Sequence, residues 1–250
     1  MTGTKSASRW YSSRLEQDVN LARWGHFGQP VLLFPTAGGD AEEAERMHLI
    51  DALGDLIGAG RIKVYSCDSV AGRALAAKIG SIAHRWWLLK QFGEYVAYEA
   101  VPAIHADCGG NTTDVISAGA SIGAFNTVSV LCRYPHLFSA AIGMSGSYDL
   151  ERLFGLAGNE DYYFSAPICF LPNLDGGPLL DRLRSRFVLL TFGQGRWENP
   201  DDSWRMADIL GAKGVPNRVD AWGPEHDHDW TTWRQMLPHY LDEIVPRGGA

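Results

Sequence analysis

Residues 114–135, "DVISAGASIGAFNTVSVLCRYP", join two apolar segments through a serine that has a glycine on either side. The first segment is short, as in a buried strand, and the second is apolar nearly all round, which for a helix means burial beside a sheet. Gly119, Ser121 and Gly123 match the pattern G-x-S-x-G, in which a strand turns sharply into a helix and exposes a serine oxygen. The stretch predicts such an elbow at Ser121.

Strand patterns and helix patterns alternate on both sides of this elbow. Further strands are predicted at 30–35, 61–68, 138–146, 186–193 and 217–223, with a weaker edge strand or hairpin at 13–24. Helices are predicted at 41–56, 86–105 with a kink or end near Pro102, 203–214 and 230–241. This alternation predicts a mostly parallel, doubly wound sheet flanked by helices.

The length of 250 residues suits one α/β domain over residues 1–250. Residues 145–185 interrupt the alternation with Gly, Pro and many aromatic residues, and we interpret them as an insertion that follows the strand after the elbow. No second domain is needed. The oligomeric state is left open, a homo-oligomer included.

The formal net charge of −7 and the lack of a Lys/Arg cluster disfavour nucleic acid and anionic membrane surfaces as partners. Residues 1–15 lack the apolar core of a signal peptide, and 18 consecutive apolar residues occur nowhere, so a cytoplasmic protein without a membrane anchor is expected. Four widely spaced cysteines without a C-x-x-C motif are interpreted as buried thiols.

A serine hydroxyl is a weak nucleophile at neutral pH, so Ser121 needs a base and an acid, which follow the elbow in the order Asp/Glu, then His. Residues 222–233, "WGPEHDHDWTTW", provide His226 and His228 between the last strand and the last helix. His228 is favoured, with His226 as the alternative. A metal site in "EHDHD" is a competing interpretation, although no further ligand cluster supports it.

The acid is expected in the loop after the strand that ends near Phe192. Glu198 is the preferred candidate, because Asp201 and Asp202 lie where a helix N-terminus favours acidic residues. A carboxylate bonded to one ring nitrogen of His228 would leave the other nitrogen free to take the Ser121 proton. The amide of Ile122, at a helix N-terminus, would point toward a developing oxyanion.

Three segments resemble the esterase D-like branch of the α/β-hydrolase superfamily, which also contains enterochelin esterases and mycolyltransferases. They are residues 119–149, the G-x-x-E of residues 195–198 and the H-x-W of residues 228–230. The resemblance implies an α/β-hydrolase fold and a Ser-acid-His hydrolase that needs no cofactor. It also implies a second oxyanion amide from Thr36 or Ala37 in "FPTAGGD", which differs from the HGGG loop of lipases, so the choice between the two stays open.

The expected activity is hydrolysis of a small or aromatic carboxylic ester through an acyl-enzyme on Ser121. An acyltransferase or thioesterase would use the same residues, and a non-catalytic binding or scaffold module with this fold is the second alternative. The ester pocket is expected to be lined by aromatic residues of the insertion, namely Tyr148, Phe154, Tyr162, Tyr163 and Phe170, which could equally serve only packing.

Overall fold

The computed structural model describes residues 4–110 and 112–247, and within these ranges eight strands form one sheet. The strands are β1 (Ser6–Ser12), β2 (Gln17–Trp24), β3 (Gln29–Phe34), β4 (Ile62–Cys67), β5 (Val115–Ala120), β6 (Phe138–Met144), β7 (Phe187–Phe192) and β8 (Asn217–Ala221). Their order across the sheet is β1-β2-β4-β3-β5-β6-β7-β8. Strands β3 to β8 pair in parallel, whereas β2 pairs antiparallel with both β1 and β4. The mostly parallel sheet and the N-terminal hairpin were both predicted.

Thirteen α-helices are formed by the described residues. They are α1 (Glu43–Arg46), α2 (Leu49–Ala52), α3 (Gly54–Gly58), α4 (Val70–Ala76), α5 (Ile82–Tyr95), α6 (Val101–Asp107), α7 (Ile122–Arg133), α8 (Leu150–Phe154), α9 (Glu160–Ser165), α10 (Pro167–Phe170), α11 (Pro178–Leu183), α12 (Pro200–Ala212) and α13 (Trp230–Ile244). None of these helices is both long and apolar enough to cross a lipid bilayer.

The helices cover the sheet on both faces, and this explains why all residues of the central strands β4 and β5 are buried. Helices α1 to α3 and α13 pack on one face, and α4 to α12 contribute to the core on the other. Strand β5 lies between β3 and β6 with all six residues buried. Ser121 directly follows β5 and therefore lies near the middle of the sheet edge that is formed by the carboxyl ends of the parallel strands.

The single surface helix predicted over 41–56 is wrong, because the chain forms the three short helices α1, α2 and α3 there. His48 takes a left-handed φ of 61° between the first two, and Gly54 and Gly58 are poor helix formers. Of the four periodic apolar residues, Ile50, Leu53 and Ile57 are nevertheless buried, whereas Met47 is exposed. The apolar periodicity predicted which side of this segment faces the core but not where the helix is interrupted.

The helix predicted over 86–105 begins earlier, at Ile82, and changes its winding before Pro102. A π-helical turn, Val96–Ala100, joins α5 to α6, and Pro102 lies in the first turn of α6. Proline lacks an N–H group and its ring crowds the preceding turn, so a locally widened helix accommodates it.

Residues 145–185 form α8 to α11 and pack against helices of the domain. Tyr162 contacts Trp86 of α5 with ring centroids 4.6 Å apart, and Ser129 of α7 donates to the Ser165 carbonyl at 2.6 Å. Among the cysteines, Cys67 and Cys132 are buried, whereas Cys108 and Cys169 are only half-buried, and all four are free thiols. Burial raises the pKa of the Cys67 and Cys132 thiols.

Candidate active site

Ser121 stands at the turn between β5 and α7 with a backbone conformation that side chains rarely adopt, φ 57° and ψ −120°. The turn is held by an N–H bond from Ser121 to the Met144 carbonyl at 2.9 Å. A Cβ at Gly119 would lie 2.5 Å from the backbone of Gly123, so only glycine permits this crossing. The strained turn leaves Ser121 partly exposed while its neighbours on both sides are buried.

Gly123 brings the start of α7 against the loop that follows β3. A Cβ at this position would lie 2.5 Å from the carbonyl oxygen of Phe34 and 2.8 Å from that of Pro35. Backbone therefore packs on backbone here, and the amides of Ile122 and of the 36–37 segment are brought to the same side of the sheet edge.

The two candidates for the second oxyanion amide differ in their hydrogen bonding. The Thr36 N–H donates to Glu43 Oε2 at 2.8 Å, and the Thr36 hydroxyl donates to Glu43 Oε1 at 2.7 Å. Neither Ala37 nor Ile122 donates its amide to any residue in the described part of the chain. Glu43 thus occupies one amide, which leaves those of Ala37 and Ile122 for a ligand.

Glu198 lies in the loop after β7, and its side chain is only 1% exposed. Its Oε1 accepts a hydrogen bond from the Ser145 hydroxyl at 2.6 Å and another from the Gly193 N–H at 3.2 Å. Its Oε2 is buried without a hydrogen-bond partner among the described residues and lies 3.8 Å from His228 Nδ1. This distance is beyond a direct hydrogen bond but within the range of an ion pair.

His228 is fixed by backbone and by an aromatic neighbour. Its N–H donates to the Arg196 carbonyl at 3.0 Å, and its ring packs edge-to-face on Trp233, with centroids 5.2 Å apart. Asp229 begins α13 by accepting from the Thr232 N–H at 2.9 Å. The histidine therefore sits between β8 and α13, as the sequence predicted.

The loops of Glu198 and His228 pack closely. The Gly195 N–H donates to the His226 carbonyl at 2.9 Å, and a Cβ at Gly193 would lie 1.9 Å from the same carbonyl oxygen. His226 itself packs its ring on Trp222 with centroids 4.8 Å apart, and its Nε2 lies 3.4 Å from Glu225. This gives His226 a packing role beside the site.

The competing acids Asp201 and Asp202 begin α12, and Asp202 forms an ion pair with Arg152. Burial raises the pKa of the Asp202 carboxyl despite this pairing. Within residues 4–110 and 112–247, no group of three or more His, Cys, Asp or Glu side chains could hold a metal ion.

The predicted aromatic pocket is not formed by Tyr148 and Tyr162, which are 2% and 1% exposed and belong to the core. Tyr162 accepts from the Leu150 N–H at 3.1 Å, whereas the Tyr148 ring lies over Gly143 and Gly146. Because Gly143 and Gly146 have no side chains, the Tyr148 ring fits in the core, and its predicted position in a pocket is wrong. The other three predicted residues, Phe154, Tyr163 and Phe170, are half-buried in the helices of 145–185.

A cavity of about 10 Å³, with room for no more than one water molecule, lies next to the elbow. Its lining includes Phe34, Pro35, Thr36, Ala120, Met144 and Trp230, but not Ser121, Glu198 or His228. A wider groove, lined in part by Gln29, Arg61 and Thr113, lies at the amino ends of β3, β4 and β5. That groove is on the opposite sheet edge from Ser121, so neither of these two cavities is lined by the predicted catalytic residues.

Several residues that build the site were not predicted from the sequence. Ser145 contacts Glu198, Trp233 contacts His228 and Ser145, and Glu43 occupies the Thr36 amide. The "MSGSYD" segment was recognised as part of the family pattern, but nothing in it linked Ser145 to a residue 53 positions away.

Comparison with known proteins identifies the family and the fold of the chain. The family described as "Putative esterase" matches residues 55–242. No curated protein matches this chain. Solved structures with the same fold include a ferulic acid esterase, which is 16% identical with a TM-score of 0.71 over 98% of this chain and 99% of that chain.

Two further solved structures show the same fold. The fluorophosphonate-binding serine hydrolase FphF of Staphylococcus aureus is 17% identical, with a TM-score of 0.70 over 98% of this chain and 100% of that chain. The enterobactin esterase FES of Shigella flexneri is 16% identical, with a TM-score of 0.68 over 96% of this chain and 59% of that chain. With the elbow serine and the match to the family over most of its length, the chain belongs to the "Putative esterase" family and is a serine esterase with the α/β-hydrolase fold.

Proposed function

We propose that the chain hydrolyses carboxylic esters with Ser121 as nucleophile, His228 as general base and Glu198 as the acid that orients the histidine. The observation that carries the proposal is the single unpartnered carboxylate oxygen of Glu198, buried and 3.8 Å from His228 Nδ1. Approach of these two atoms to hydrogen-bond distance would keep the proton on Nδ1 and leave Nε2 as the acceptor for the Ser121 proton.

Acylation begins when Ser121 Oγ attacks the ester carbonyl carbon and passes its proton to His228 Nε2. The carbonyl oxygen becomes an oxyanion, which the amides of Ile122 and Ala37 stabilise by hydrogen bonds. As the tetrahedral intermediate collapses, the bond to the leaving oxygen breaks, and that oxygen takes the proton from His228. An alcohol leaves, and the acyl group stays on Ser121.

Deacylation repeats these steps with water. A water molecule gives its proton to His228 Nε2 and attacks the acyl carbonyl carbon, and Ser121 Oγ leaves with the proton from the histidine. The Glu198 carboxylate, held by two donors, stabilises the imidazolium that forms in each step. None of these steps needs a cofactor.

A small acyl group is proposed for the natural ester. The cavity beside Ala120 is too small for an acyl chain, and the aromatic rings of Tyr148 and Tyr162 fill the core instead of lining an acyl pocket. The alcohol part would extend away from the sheet toward solvent, where the partly exposed Ser121 faces outward.

The test is hydrolysis of p-nitrophenyl acetate by the purified protein and by Ser121→Ala, with a chelator present in a parallel reaction. We expect a chelator-resistant activity that falls by about four orders of magnitude in Ser121→Ala. Ser185→Ala, at an exposed serine far along the chain, is the matched control and keeps the wild-type rate. An alanine variant at Ser121 as active as the wild type, or an activity abolished by chelation, would contradict the proposal.

A further inference from the structure

Ser145 follows β6 directly and is buried, at 4% exposure, in a backbone conformation that favours glycine, φ 48°. Its N–H donates to the Thr191 carbonyl of β7 at 2.7 Å. A buried non-glycine residue keeps such a conformation only where its surroundings determine it, and here the side chain makes two hydrogen bonds.

The direction of both side-chain bonds is fixed by chemistry. The indole Nε1 of Trp233 can only donate, so at 2.9 Å from Ser145 Oγ it uses a lone pair of the serine. The single hydroxyl hydrogen then remains for Glu198 Oε1 at 2.6 Å, because an ionised carboxylate can only accept. The chain of bonds runs from Trp233 through Ser145 to Glu198.

These bonds leave one oxygen of Glu198 for the histidine. Oε1 already accepts from Ser145 and from the Gly193 N–H, and rotation of the carboxylate would break both bonds. Oε2 is left without a partner in the described part of the chain and faces His228 Nδ1. The same Trp233 that donates to Ser145 also packs edge-to-face on the His228 ring.

We propose that Ser145 is a positioning residue for the esterase reaction, which holds the Glu198 carboxylate so that Oε2 is reserved for His228, and that Trp233 directs its hydroxyl. This inference rests on the proposed function. Ser145 acts on the reaction only through Glu198, so removing its hydroxyl matters only while the carboxylate is present.

The experiment is a double-mutant cycle on kcat and KM for p-nitrophenyl acetate, with Ser145→Ala, Glu198→Ala and the double variant. Ser145→Ala is expected to lower kcat about tenfold, the size expected for a hydrogen bond to a charged group, and to leave KM within about twofold. In the Glu198→Ala background the same change is expected to alter kcat less than about twofold, because the group through which Ser145 acts is gone.

Two further variants distinguish the effect of losing the Ser145 hydroxyl from the effect of a disturbed fold. Ser145→Gly removes the hydroxyl but suits the φ of 48°, so it is expected to fold and to lose as much kcat as Ser145→Ala. Trp233→Phe keeps a ring against His228 but removes the donor, and is expected to lose less, since Ser145 can still donate to Glu198.

Equal losses from Ser145→Ala in both backgrounds would show a purely structural role, and a wild-type kcat in Ser145→Ala or Ser145→Gly would also overturn the proposal. Failure of both variants to fold would overturn it too. If Ser121→Ala is inactive while Ser145→Ala is unimpaired, only the inference about Ser145 fails. If Ser121→Ala keeps the wild-type rate, the proposed function fails first, and this inference fails with it.

Discussion

Asp227 accepts three hydrogen bonds from Arg196, one from its backbone N–H at 2.6 Å and two from its guanidinium at 2.9 and 2.7 Å. These bonds join the loop after β7 to the loop after β8. Hydrogen bonding to the Arg196 guanidinium holds the pKa of the Asp227 carboxyl below its usual value. The proposed acid and base are thus two and one residues away from this ion pair, and the Arg196 carbonyl also accepts from the His228 N–H at 3.0 Å.

Asp227→Ala is expected to lower kcat about tenfold, because a small displacement of His228 relative to Glu198 misaligns proton transfer. Arg196→Ala removes only the guanidinium and keeps the backbone bond, so its loss of kcat is smaller. The Arg196 side chain lies at the surface and that of Asp227 is half-buried, so we expect only a small change in the thermal unfolding midpoint. Steady-state kinetics beside a melting curve checks this, and a loss of stability without a loss of kcat would contradict it.

Gly123→Ala is expected to lower the free energy of unfolding by about 2 kcal/mol, because its Cβ would overlap the carbonyl oxygens of Phe34 and Pro35. The loop of Ala37 has to move, so kcat also falls. Gly54→Ala is the control, since its Cβ would meet nothing within 4 Å and alanine favours the helix. Urea unfolding of both variants makes the comparison, and equal stability of the two would refute the packing argument.

A series of p-nitrophenyl esters with acyl chains of increasing length tests the proposed preference for a small acyl group. We expect kcat/KM for the octanoate to be lower than for the acetate by roughly tenfold or more, because the cavity beside the elbow has room for no more than one water molecule and is lined mostly by buried residues. A preference for the octanoate would mean that the acyl chain lies elsewhere. Met144→Ala enlarges the cavity and should move the preference toward longer chains.

Trp197 is 87% exposed and has a left-handed φ of 68°. Trp197→Gly is expected to raise the free energy of unfolding by about 0.5–1 kcal/mol, because glycine adopts this conformation without a Cβ clash and little packing is lost. Trp197→Ala is the control, as it removes the ring but keeps the strain and should give no such gain. Chemical denaturation measures both, and equal effects of the two variants would argue against strain at this position.

Asp107 supplies a prediction about pH. Burial raises the pKa of its carboxyl, but hydrogen bonds from Lys63 and Tyr65 and the charge of Arg23 outweigh burial, and the net pKa is lowered. The contribution of Asp107 to the free energy of unfolding is therefore fully present above the ordinary Asp pKa of about 4. It is lost as the pH falls through the lowered pKa of Asp107.

The measurement is the free energy of unfolding at neutral pH and at a pH near 3. Asp107→Asn should reduce the difference between the two conditions, since asparagine does not titrate. Asp175→Asn, at a carboxylate that is almost fully exposed, should leave the difference unchanged. If both variants reduced this difference in the free energy of unfolding equally, the assignment of the pH dependence to Asp107 would be contradicted.

Local rules account for the parts of the site that the sequence predicts. The elbow can be predicted from Gly119 and Gly123. The backbone atoms that a Cβ at these positions would meet belong to residues a few positions away or at the end of the adjacent strand. Alternating strands and helices place the ends of β5, β7 and β8 at one edge, so Glu198 and His228 could be expected near Ser121 from topology alone.

The remaining features depend on contacts between distant residues. Glu43 accepts from the Thr36 N–H through a side chain that no motif marks, and Ser145, after β6, donates to Glu198, after the neighbouring strand β7. Tyr148 lies in the core because Gly143 and Gly146 leave space for its ring, which only packing reveals. Aromatic composition alone cannot separate a pocket from a core.

The chain order of these elements has a consequence for biosynthesis. Helix α13 carries Trp233 against His228 and Ser145, so the site cannot assemble until the chain has been synthesised and released from the ribosome past residue 244. Chains truncated before α13 keep the elbow serine but lack Trp233, and under the proposed mechanism we expect them to be inactive. Ester hydrolysis would then report that synthesis has passed α13.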